Sequence, residues 1–339
     1  MEHPFLILRR GLTALAGSIL LGALIAGCGG GGGAGTALPS TSDAARTTSS
    51  MQRVTPVDRA NAPAVMSLVH NSVAYYAPMV GQKPRLLDFG TRSTQSTAGA
   101  GNDLTNFGGP TQHGGKEYNI LVNATNENPW GGKISKFESD LFGSTMFTIV
   151  NQYNAGGAYA SGGDYPITYS TLLPLQDSDI FNIVHTVIKA NNLPVGYGSQ
   201  FHVFLQSGVQ QCSTSARGCY GVVYCAYHGS NDYTDVGHVL YSVEPYQNIN
   251  GCQVSNTASP NGVLADSTAS VLSHEVFETI TDPDVAANNL AWYNNNKGEI
   301  GDICAPANSV PTGNVVLSAT TWEIQPEYSN KVHDCSYAP

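Results

Sequence analysis

Apolar residues change their spacing several times along this chain, and each change predicts an element. Leu86-Leu87-Asp88-Phe89, Tyr118-Asn119-Ile120-Leu121-Val122 and Phe201-His202-Val203-Phe204-Leu205 are short runs rich in β-branched and aromatic side chains, and they predict strands. Val222-Val223-Tyr224 and His238 to Val243 predict two more. Ile134, Phe137, Leu141, Phe142, Ile149, Val150 and Tyr153 recur at three- and four-residue steps, so Lys133 to Tyr153 is predicted as one amphipathic helix. A second helix starts at a cap on Asp177 or Ser178, carries Ile180, Val184, Val187 and Ile188 on one face, and stops at Asn191-Asn192-Leu193-Pro194. A third spans Asp266 to Thr281, capped by Asp266 or Ser267, with Val271, Leu272, Val276 and Ile280 as its apolar contacts. Helices alternating with strands predict an α/β or α+β fold, a single disulfide-stapled domain with a mixed sheet flanked by helices.

Between these elements, Thr94 to Gly115 and Ala155 to Tyr165 are rich in Gly and Ser and predict loops, long enough to rim a binding site. Asn123-Ala124-Thr125 matches a glycosylation acceptor, but no weight falls on it. Residues 29 to 59 open on a glycine run and continue in Thr, Ser, Ala and Pro. Such a segment buries too little apolar surface to fold and predicts a tether. The globular domain is therefore expected over 60 to 339, about the upper size for one core.

The N-terminus bears on location. Arg9 and Arg10 precede an apolar stretch from Leu12 to Ile25, and Ile25-Ala26-Gly27-Cys28 closes it. The stretch is shorter than the roughly 20 residues a membrane span needs, so it reads as an export signal over residues 1 to 27. Its end resembles the bacterial lipobox, in which Cys28 becomes the lipidated N-terminus. The expectation is an extracytoplasmic protein anchored by lipid to the cell envelope, to the outer membrane if the cell has one. Residues 1 to 27 carry a net +1 from Glu2, Arg9 and Arg10, so the chain charge of −10 becomes −11 once they are removed. An acidic surface repels phosphate backbones and anionic headgroups, which makes nucleic acid a poor partner and leaves membrane attachment to the lipid. What it meets outside the cell is an unidentified substrate or ligand.

Of the 7 cysteines, six remain when Cys28 is lipidated: Cys212, Cys219, Cys225, Cys252, Cys304 and Cys335. An even set in an oxidising compartment predicts three disulfides, among fifteen pairings that sequence alone does not separate. A thiolate zinc site is disfavoured because no CxxC pair is present.

The chemistry concentrates on His274-Glu275-Val276-Phe277-Glu278. Residues four apart on a helix share a face, so His274 and Glu278 can address one ion, as in a His-Glu-x-x-His zinc helix with the second histidine replaced. Glu275 then stands where a metalloprotease keeps its general base. Catalytic zinc takes three protein ligands, and Glu299-Ile300-Gly301-Asp302-Ile303-Cys304 offers two acids. Either Glu299 or Asp302 could bind the ion, with the other orienting His274. One histidine among carboxylates is a hard donor set, so Ca²⁺ or Mn²⁺ competes with Zn²⁺ as the cofactor. The plain alternative is a surface pair worth about 0.3–0.5 kcal/mol. Serine chemistry at Ser273-His274 fails, since adjacent helical residues point about 100° apart.

Three segments together resemble a known family: Cys225-Ala226-Tyr227-His228-Gly229, Val271-Leu272-Ser273-His274-Glu275-x-x-Glu278-x-x-Thr281-Asp282-Pro283, and Trp292-Tyr293 followed by Glu299-x-x-Asp302-x-Cys304. Their order and spacing are similar to those of the phosphate-induced, EXORDIUM-like secreted proteins of plant cell walls, bacteria and fungi, from about residue 65 to the end. The resemblance implies a secreted domain rather than a defined activity. Plant members often lack the complete His-Glu-x-x-Glu helix, which is present in this chain. His228, in the Cys-x-x-His segment, joins the candidate site as a further contributor. Two functions follow as expectations: a metal-dependent hydrolase of the zinc-peptidase type, or a non-catalytic envelope protein that uses a metal or a binding surface structurally.

Overall fold

The computed structural model describes residues 51–56, 75–78, 101–214, 218–254, 259–285, 289–308 and 310–339. The expected export signal, Cys28 and the strand expected at Leu86-Leu87-Asp88-Phe89 lie outside the described residues. Seven strands form one mixed sheet: β1 (Gln52–Arg53), β2 (Tyr75–Pro78), β3 (Gly115–Val122), β4 (Tyr159–Thr168), β5 (Ser199–Phe204), β6 (Tyr224–Tyr233) and β7 (Gly237–Glu244). Their order is β1-β4-β3-β5-β7-β6-β2. The pairs from β1 through β7 are parallel, and β6 runs antiparallel to both β7 and β2.

Alternation along the strands gives the sheet two unlike faces. Tyr118, Ile120 and Val122 of β3, Phe201 and Val203 of β5, Tyr227 of β6, and Tyr241 and Val243 of β7 build an apolar core with helix α2 (Asp177–Asn191), which contributes Ile180, Ile183, Val184, Val187 and Ile188. The opposite face mixes Leu121 and Phe204 with polar residues. There α1 (Ile134–Phe142) and α3 (Val263–Thr281) cover it, through Phe137, Leu141, Leu272, Val276, Phe277 and Ile280. Asn119, His202, Ser242 and His228 stand in register across four strands on that second face. All four are at most 1% exposed.

Several boundaries differ from the sequence expectation. The single helix expected over Lys133 to Tyr153 is two, α1 and a 3₁₀ helix over Met146–Tyr153. Ser144 separates them, because its hydroxyl donates to Leu141 O and accepts from Phe147 N, competing with the helical ladder. Buried apolar residues continue past the break, which is why the periodicity ran through it. Tyr159–Thr168, expected within or beyond a loop, is a strand, and Val222 and Val223 lie in a turn before β6. The second helix is capped by Gln176 with Asp179 as its reciprocal partner, and α3 begins at Val263 after Gly262. The tether expected as far as residue 59 ends earlier. Gln52–Arg53 pair with Ile167–Thr168, and Val54 is 1% exposed in the core.

Three disulfides close the six-cysteine set: Cys212–Cys219, Cys225–Cys252 and Cys304–Cys335. The second holds the first residues of β6, and the third fastens the end of the short helix α4 (Ile300–Ile303) to the C-terminal strand Asp334–Ser336. Among the described residues no helix is long and apolar enough to cross a membrane.

Candidate metal centre

Helix α3 lies buried along almost its whole length, unlike a surface helix with one apolar stripe. His274, Glu275 and Glu278 are each 0% exposed, which removes the surface-pair alternative. Glu278 faces α4, where Asp302 N donates to Glu278 Oε1 at 3.0 Å. Helix α4 begins with a reciprocal cap: Glu299 N donates to Asp302 Oδ2 at 3.2 Å, which leaves Asp302 Oδ1 turned to the site without a hydrogen-bond partner. Two glycines make this fit. Gly298 has φ +99°, and a Cβ there would come within 2.2 Å of Asp302 Oδ2; a Cβ on Gly301 would come within 2.6 Å of His274 Nδ1.

Five side chains converge. His274 Nε2 is 3.0 Å from Glu278 Oε1 and 3.9 Å from Asp302 Oδ1, while His228 Nε2 is 3.4 Å from Glu278 Oε2 and 3.3 Å from Glu299 Oε2. Both Glu299 and Asp302, offered as alternatives by the sequence, therefore reach the site, and His228 reaches it from β6. The donor atoms group as two triads, His274-Glu278-Asp302 and His228-Glu278-Glu299. Glu275 is buried on the same helix but belongs to neither.

The hydrogen bonding is that of a ligand set rather than a closed polar network. His274 Nδ1 faces Gln325 Oε1 at 3.2 Å, and Gln325 Nε2 donates to Gly301 O at 3.1 Å. With its amide nitrogen committed, Gln325 presents only an acceptor, so Nδ1 carries a proton and Nε2 is the ring atom turned to the carboxylates. His274 Nε2 accordingly makes no aligned hydrogen bond despite its 3.0 Å neighbour, and Glu278 Oε2, Glu299 Oε1 and Asp302 Oδ1 also lack partners. Buried polar atoms without partners are rare and costly in native proteins. Four in one buried cluster are what cation coordination would satisfy.

Without an ion the carboxylates favour a proton on His274, which a bound cation would displace. Burial pulls His274 down, but Glu278, Asp302 and Glu327 more than offset it and raise the imidazole to about 9. Burial pushes Glu278 up, and His274 and His228 reverse that to about 2. Burial, then the neighbouring Glu278, holds Glu299 and Asp302 well above the usual carboxylate range. Asp282, the C-cap of α3, is raised in the same way by its burial; its Oδ1 accepts from Ala291 N at 2.8 Å and its Oδ2 has no partner. Donors of this kind, imidazole and carboxylate, suit Zn²⁺ or Mn²⁺.

Sequence reasoning missed Gln325, Asp282 as a buried neighbour, and the two glycines. The glycines had a signal, flanking both acids in Gly298-Glu299-Ile300-Gly301-Asp302; Gln325 had none. No protein-family model, no curated protein and no solved structure matches this chain.

Proposed function

We propose that this chain is a metal-dependent hydrolase of the zinc-peptidase type, with His274, Glu278, Asp302 and Glu299 as ion ligands and Glu275 as general base. The observation that carries the reading is His274: Gln325 holds its Nδ1, and its Nε2 is left among carboxylates without an aligned hydrogen bond. Glu275, outside both triads, meets the first requirement of a base, which is not to be a ligand. Zn²⁺ is the proposed ion, with Mn²⁺ or Ca²⁺ as substitutes. Membership of the EXORDIUM-like family and lipid anchoring through Cys28 belong to the same proposal and rest on the sequence motifs.

The test uses the purified mature chain loaded with Zn²⁺ and a peptide pool read by mass spectrometry. The parent cleaves, and Glu275→Gln keeps the ion but not the cleavage. A Glu275→Gln variant that cleaves as the parent does rejects the base, and a parent that holds no ion rejects the reading. A second function, a structural ion in an envelope protein, is favoured by one observation, the 0–2% exposure of all the ligands, since structural sites are closed. In that case Glu275→Gln is silent and chelation lowers heat stability.

A further inference from the structure

The two triads share one residue, and that residue divides its oxygens between them. Glu278 Oε1 belongs to the His274 side at 3.0 Å, and Glu278 Oε2 to the His228 side at 3.4 Å. Within each triad the donor atoms all lie within 4.8 Å of one another, yet the two do not merge into one group. We propose that the centre holds two divalent ions bridged by Glu278, one bound by His274 and Asp302, the other by His228 and Glu299. This deepens the metal-centre reading above and rests on it.

The spacing on the second side is that of co-ligands. Ligand atoms about 2.0–2.2 Å from an ion stand about 3.0–3.6 Å apart in octahedral or tetrahedral arrangement. The His228–Glu278 and His228–Glu299 separations of 3.4 and 3.3 Å fall inside that window. On the first side the 3.0 Å contact does as well, and the 3.9 Å separation between His274 and Asp302 remains within the diameter of one sphere. A single ion on the His274 side leaves Glu278 Oε2 and Glu299 Oε1 buried without hydrogen-bond partners; a second ion gives the His228 side a centre of its own.

The architecture also supplies two separate supports, as two ions require. His228 rides on β6, pinned by Cys225–Cys252, and His274 rides on α3, held by Gln325. Only Glu278 needs to serve both. Two ions about 3.5–4 Å apart form a clamp suited to hydrolysing an amide or ester, in which attacking and leaving oxygen or nitrogen are neutralised together.

The experiment is metal stoichiometry on the full mature chain, stripped with a chelator and reloaded with Zn²⁺ or with Mn²⁺. The parent is expected to carry two ions per chain by elemental analysis, and the Mn²⁺ form to show the exchange-coupled spectrum of a pair. His228→Gln and the isosteric Glu299→Gln are each expected to carry one ion, His274→Gln one, and Glu278→Gln none. One ion per chain in the parent, unchanged by His228→Gln and Glu299→Gln, overturns the two-ion proposal and leaves the single-ion reading standing. No ion in the parent with either metal overturns both. The parent's own count decides even if a variant fails to fold.

Discussion

The Cys304–Cys335 bridge offers the sharpest test of how the fold holds the centre. Cys304 is 0% exposed and follows Asp302 by two residues, so the bridge anchors the helix that carries one ligand and is capped by another. Its sequence separation is 31, against 7 for Cys212–Cys219, which closes a small hairpin that carries none of the ligands. Loop-closure entropy assigns about 3.5–4 kcal/mol to the longer loop and about 2–2.5 kcal/mol to the shorter one at 25 °C. Alanine pairs are the right replacements, since serine would bury a hydroxyl at position 304. Urea unfolding in chelator should show Cys304→Ala/Cys335→Ala less stable than Cys212→Ala/Cys219→Ala by about 1–2 kcal/mol, at equal slope. Calorimetric titration with Zn²⁺ should then show weakened binding in the first variant alone, because only there do Glu299 and Asp302 lose their support. Equal stability losses refute the entropic reasoning. Unchanged affinity in the first variant refutes the positional reasoning.

Three further outcomes are expected. Gln325→Met should keep the fold and weaken metal binding by about 10–100-fold, since Gln325 fixes the His274 tautomer; equal affinity in a competition titration rejects that role. His238 is pulled down by burial but raised overall by Asp284 and Asp232, so its stabilising contribution is complete below pH 6.5 and is lost as pH rises through the raised value. The stability difference between the parent and His238→Gln should therefore shrink from about 0.5–1 kcal/mol toward zero as pH rises above 6.5 through the raised value, and a difference that does not change with pH in urea midpoints rejects the pairing. Cys28→Ser should move the protein from the membrane fraction to the soluble one, and a variant that stays membrane-bound rejects the lipid anchor.

The elements legible in the sequence are those whose local pattern and tertiary setting agree. Tyr118–Val122 and Phe201–Leu205 read as strands because both of their faces are buried, and α3 is legible through its apolar contacts and its His-Glu-x-x-Glu step, though its start at Val263 precedes the expected cap. β4 was hidden by Gly162, Gly163 and Pro166, which signal a loop by composition. In the fold, Gly162 is a packing requirement, because a Cβ there would come within 2.4 Å of the Tyr118 ring, beside the register shift at Glu117/Tyr118. β1 was invisible because two residues carry no period. At the centre, helical spacing identified His274 and Glu278. Assigning Glu299 and Asp302 jointly needed the cap geometry of α4, and Gln325 comes from a hairpin whose sequence carries no sign of the site.

The polar face of the sheet argues for the same centre from energetics. A sheet buried on both sides is most stable when both faces are apolar, as the α2 side is. The α3 side instead carries Glu117, His202, Ser242 and Glu244 in one hydrogen-bonded chain, with His202 between Glu117 and Ser242 at 2.9 and 2.8 Å and Ser242 donating to Glu244 at 2.6 Å. That chain leaves one atom, Glu117 Oε1, without a partner, so its burial costs less. The ligand cluster beside it is different, because its four partnerless atoms cost about 1–3 kcal/mol each, a sum of the same order as the net stability of a domain. Apolar replacements at His274, Glu278, Glu299 and Asp302 would relieve that cost. Their retention in the closed interior is intelligible if a cation supplies the missing partners, for then the free energy of ion binding adds directly to that of folding.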